Sequence, residues 1–92
     1  MSRPSTALKL IKARIGITSR VRDSYLKAII AGVERELEEG HGLSLDMGNP
    51  YHLMFIVDLA TWRYQNRDEP GAMPRHLQFR LHNLIIGGGQ DV

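Results

Sequence analysis

The sequence predicts an all-α fold, a small four-helix bundle with one long central loop. Three observations carry that prediction. Apolar residues recur at helical spacing in three separate segments of the 92-residue chain. In a fourth segment, Leu53, Met54, Phe55, Ile56, Val57, Leu59 and Ala60 point in nearly every direction around a helix axis, so that helix must be covered on more than one side. The only alternating stretch, Leu43, Leu45 and Met47, is too brief to build a sheet and predicts at most a short extended piece.

Taken in order, residues 1–4 read as a loose tail, and Ser5 is suited to cap a helix over 5–15 because its hydroxyl can accept a backbone N–H two or three residues on. Leu8, Ile11 and Ile15 share one face of it, and Gly16 is a stop signal. The second helix is expected over 19–39, capped by Thr18 or Ser19, with an apolar stripe of Val21, Leu26, Ile29, Ile30, Val33 and Leu37 and an end at Gly40. A loop fills 41–48. Asn49 as cap and Pro50 in the first helical position start a third helix over 50–66. Asp68, Glu69, Pro70 and Gly71 make a turn. The fourth helix, over 74–86, buries Leu77, Leu81, Leu84 and Ile85, and Gly87 to Gly89 are expected to break it, leaving a fraying end. Residues 1–92 are thus read as a single helical domain with flexible termini, without repeat or linker.

A chain this short buries only about 60–65% of the surface it exposes when unfolded, so the core should be modest. No run of about 18 uncharged apolar residues exists to span a membrane, and the charged N-terminal stretch does not read as a secretory signal. The absence of cysteine excludes disulfides and thiolate chemistry and suits an intracellular protein. Net charge is only +2 but is unevenly spread. Up to Val33 there are seven Lys/Arg against Asp23; from Glu34 to Asp58 there are six acids against Arg35. Such portions can align copies head to tail or pair within one molecule.

No motif points to catalysis, a cofactor or a metal. His41, His52, His76 and His82 lack ligand spacing, and the serines lie in no nucleophile context. Gly87 to Gly89 follow a helix and are not a phosphate loop. Glu34 and Glu38 lie on one polar helix face and read as solvated. Asp58, inside the apolar helix, needs a partner because an unpaired buried carboxylate is costly. Trp62, Tyr64 or an arginine could supply it, but the favoured reading puts Asp58 on a narrow exposed strip near Thr61 or Arg63. Arg63 and Arg67 suit the helix C-terminus, where the dipole favours positive charge. A helix-turn-helix reading also exists, with Arg20 and Arg22 opening a recognition helix; the low charge and the acidic end of that helix argue against it.

The order of parts carries a resemblance. A first helix ends in KARIGIT, a second reads YLKAIIAGVERELEE, and a loop leads through Pro50 to LATWRYQNRDEPGAMP and a last apolar helix. The junction of Trp62, Tyr64, Asn66, Arg67 and Asp68 is the most specific part, followed by Gly16, Ile17, Thr18, Asp23, Leu26 and Ile30. From about Leu8 to Ile86 the chain resembles the head–tail connector (head-completion or adaptor) proteins of long-tailed bacteriophages and prophages. The resemblance implies a structural, non-enzymatic subunit of the virion head–tail junction, assembled in the host cytoplasm. Its partners would be copies of itself in a cyclic ring, commonly twelve, together with the portal protein, the next head-completion or tail protein, and non-specifically held packaged DNA. Within such a ring, Phe55, Trp62, Tyr64, Phe79, Arg63 and Arg67 are the candidate subunit or portal contacts, since aromatics and arginines usually dominate interfaces; each aromatic could instead be ordinary core, the favoured reading for Phe55. Arg20, Arg22 and Lys27 are the candidate contacts to DNA phosphates in the channel. The family habit of ordering a mobile segment on assembly would fall on 41–49 and 87–92.

Overall fold

The computed structural model describes residues 2–46, 48–68 and 71–88, all of whose regular elements are helices. They are α1 (Ser2–Ile15), α2 (Asp23–Arg35) with a π-helical turn at Glu36–Gly40, α3 (Pro50–Gln65) and α4 (Arg75–Gly88). Four helices with no strand among the described residues make this a small all-α bundle.

Helix α3 is the centre. It packs against α1, α2 and α4, whereas α4 packs on α3 alone among the described helices. The reason lies in its sequence: Phe55, Ile56, Val57, Leu59, Ala60 and Tyr64 are all buried, so no side of its middle faces water broadly. Around it sit Ala7, Leu8 and Ile11 from α1, Leu26, Ile30, Val33 and Leu37 from α2 and its π turn, and Leu77 and Leu81 from α4. Each of the Leu, Ile and Val side chains among these, fully buried, is worth about 1.5–3 kcal/mol against leaving it exposed.

The ends of the elements differ from expectation in instructive ways. Residues 2–4 are helical rather than a tail, so Ser5 lies inside α1 and does not cap it. Pro4 is tolerated there because the first-turn N–H groups have no partner within a helix. At the other end Gly16 (φ +86°) is left-handed, and the Gly16 and Ile17 N–H groups both close on the Lys12 carbonyl. Ser19 Oγ accepts from Val21 N–H at 3.0 Å, so it closes a local turn instead of capping α2, which begins only at Asp23. Val21 therefore falls outside the helix and outside its apolar stripe; it is 86% exposed. After Arg35 the helix widens into the π turn, which ends at Gly40 as expected, and Gly42 (φ +70°) reverses the chain, with Leu43 N–H reaching the Leu37 carbonyl at 3.0 Å.

The loop that follows is tied down. Leu43 is buried, and the Asp46 N–H donates to His52 Nδ1 at 3.0 Å. Met47 lies outside the described residues. Asn49 Oδ1 accepts from Tyr51 N–H at 2.8 Å and Pro50 follows, a side-chain cap on α3. Helix α4 runs through Gly87 and Gly88 rather than breaking at the first glycine; the remaining tail residues lie outside the described region.

Candidate assembly interface

The last turn of α3 gathers several of the candidate side chains. Tyr64 is buried, and its ring is flanked by two guanidinium groups, Arg67 at 4.2 Å and Arg22 at 5.8 Å from the centroid. Arg22 also donates to the Tyr64 hydroxyl, and Arg67 donates to the Tyr64 carbonyl, one of the acceptors a helix C-terminus leaves free. Tyr25 packs tilted against the same ring at 6.0 Å. The negative face of the ring favours Arg67, whereas Arg22 meets Tyr64 through its hydroxyl.

Next to it, Arg63 forms an ion pair with Glu36 of the π turn at 2.7 Å. That hydrogen bond holds the Glu36 carboxyl below the usual carboxylate range, against the opposing effect of partial burial. The two ends of α2 therefore straddle one turn of α3, Arg22 reaching Tyr64 and Glu36 reaching Arg63. Asn66 Nδ2 donates to the Trp62 carbonyl at 2.9 Å. Trp62, Arg63, Asn66, Arg67 and Gly71 line an open cleft of about 260 Å³.

Asp58 is not on an exposed strip beside Thr61 or Arg63. Its side chain is only 18% exposed, and it bridges Arg14 of α1 and Arg80 of α4, the latter at 2.6 Å. An arginine was among the partners open to it, but helical neighbours were the wrong place to look: the pair is made across helices, 44 and 22 residues away. Lys12 likewise joins α1 to Asp23 at 2.7 Å. Of these pairs, only Arg14–Asp58 joins the basic portion of the chain to the acidic one. Thr61, meanwhile, is buried with no partner for its hydroxyl among the described residues.

The candidate contacts divide accordingly. Phe55 is fully enclosed beneath the Arg80 guanidinium, 5.4 Å from its ring, and Tyr64 is walled in by arginines, so neither presents a free surface in this conformation. Trp62 and Arg63 are half-buried at the cleft, Arg67 is exposed there, and Phe79 on α4 is 65% exposed. Of the residues assigned to DNA, Arg20 and Lys27 are exposed without a side-chain partner among the described residues, while Arg22 is engaged with Tyr64. Sequence reading passed over Asn66 and Gly71 as cleft walls, and Ile86 (53% exposed) seven residues beyond Phe79. Two turns at helical spacing was the signal that would have placed Phe79 and Ile86 on one outer face.

The fold and this site define a class: a small all-α domain with arginines and aromatics gathered at the end of its central helix. Residues 5–82 match the family described as Phage gp6-like head-tail connector protein, and the chain belongs to that family. Family members are structural proteins of the phage head–tail junction, which is not an enzyme class. No curated protein and no solved structure matches the chain. No helix among the described residues is long and apolar enough to cross a membrane. The helix-turn-helix alternative loses its geometry as well, since seven residues, 16–22, separate α1 from α2, and Arg22 and Asp23 at the head of α2 are bound to Tyr64 and Lys12.

Proposed function

We propose that this chain is a ring-forming connector subunit seated beneath the portal, where it extends the DNA channel and offers a docking surface to the next head-completion or tail protein. The observation that carries the reading is the family match over residues 5–82. Its physical support is the division of the surface. A closed ring requires one patch of each copy to meet a different patch of the next. The chain offers separate places for that: the arginine-lined end of α3 and the outer side of α4 with Phe79 and Ile86. The ring, commonly of twelve copies in such connectors, would assemble in the host cytoplasm and stay in the virion. Of the candidates for DNA contact, Arg20 and Lys27 have no side-chain partner among the described residues and would face packaged DNA through phosphates, without sequence preference.

The experiment is a mass measurement of the purified chain with and without portal rings, followed by electron microscopy of the mixture. A monomer or weak oligomer alone that forms a stoichiometric ring on the portal supports the reading. A chain that stays indifferent to the portal, or that binds one duplex sequence tightly over unrelated competitors, refutes it.

A further inference from the structure

We propose that neighbouring copies join by seating Phe79 of one copy in the cleft between Trp62, Arg63 and Arg67 of the next; this rests on the ring reading above. Phe79 stands one turn into α4, on the side turned away from buried Leu77 and Leu81, and 65% of it is exposed. A large aromatic left in water on a helix that leans on only one other helix is an anchor without a socket.

The socket is the cleft at the end of α3. The cleft has a volume of about 260 Å³ and is open to solvent, so a ring carried by another molecule can approach it. Its walls suit an aromatic guest electrostatically. Two guanidinium groups and an indole line it, and the π face of a phenyl ring attracts cations and packs against other rings. Both cations are already immobilised, Arg63 by Glu36 at 2.7 Å and Arg67 by the Tyr64 ring at 4.2 Å, so little ordering is left to occur on docking. A guanidinium has two faces, and Tyr64 occupies one of Arg67's.

A second copy is the occupant because knob and socket lie at different places on one chain. A contact of that kind repeats head to tail and closes into a ring when the rotation permits. A lone partner protein would need only the socket and would leave Phe79 unexplained.

The test uses full-length chains, alone at high concentration and on portal rings, with mass read by native mass spectrometry and docking read by emission of the chain's only tryptophan, Trp62. Phe79→Ala removes the knob; Arg67→Ala and, independently, Gly71→Leu spoil the socket. Each variant alone is expected to lose self-association by about 30-fold or more, the size of an interface hot spot. Mixing a knobless with a socketless chain should restore one contact only, giving one-to-one pairs that stop there and shift the Trp62 emission of the knobless partner. Rings formed equally well by Phe79→Ala would overturn the seating while leaving the ring intact. Single variants that fail alone and still give no pairs when mixed would overturn it too. If the unaltered chain forms no multimer even on portals, the ring reading itself falls.

Discussion

Asp58 holds two arginines that belong to different helices, and removing its charge is the most informative single change to the fold. In Asp58→Ala both partners lose their counter-charge at once, Arg14 with 52% and Arg80 with 38% of its side chain exposed. Because these arginines can rehydrate, the cost should fall short of the roughly 3–5 kcal/mol of breaking a fully buried pair. Because Asp58 itself is only 18% exposed and meets two partners, it should exceed the roughly 0.2–1 kcal/mol of a surface pair. About 1–2 kcal/mol is the expected loss, or a fall in Tm of about 5–15 °C for a domain near this size. The assays are urea denaturation and a double-mutant cycle with Arg14→Ala and Arg80→Ala. Hydrogen exchange adds a spatial check, since α4 leans on α3 alone and its amides should lose protection first. A change within about 0.5 kcal/mol, or additive single variants, would refute the bridge as a stabilising unit.

Other changes test other parts of the argument. Thr61→Val should raise stability by about 1 kcal/mol in urea melts, because it replaces a buried hydroxyl lacking a partner among the described residues with a methyl of the same shape. Gly42→Ala should lower it by about 1–2 kcal/mol; the space around Gly42 is open, so the cost is left-handed backbone alone, and Gly32→Ala, open and of ordinary helical φ, should instead be neutral or mildly stabilising. Glu36, held low by Arg63, contributes stability that is present above its unfolded value near 4.5 and is lost as pH falls through the lower folded value. Arg63→Gln should therefore destabilise more at pH 7 than at pH 3, and NMR titration should show the Glu36 carboxyl returning toward its ordinary range.

How much of this was legible in the sequence follows from the range of the physics involved. Helical periodicity is local, so the stripe of Leu26, Ile30, Val33 and Leu37 and the all-round burial of α3 were readable, and both are buried as a stripe and a centre should be. The Asn49 cap was readable for the same reason. Ends governed by competition were not. Ser19 can cap a helix or close a turn with equal chemistry, and only packing chose the turn. The helix end at Gly40 was readable, but the π turn that carries the chain there has no signature in helical periodicity. The partners of Asp58 lay beyond any local rule, because which helices approach is a tertiary fact. In the candidate interface, residue types pointed to Trp62, Arg63 and Arg67; Phe55, favoured as core because its helix is apolar all round, is enclosed, while the exposure of Phe79 needed the packing of α4 to be seen.

Tyr64 ties together two joints of the chain. Arg22 belongs to the segment that leads into α2, and Arg67 to the segment that leaves α3, yet both rest on one phenol. The doorway of α2 and the exit of α3, 42 residues apart along the chain, thus share a single support.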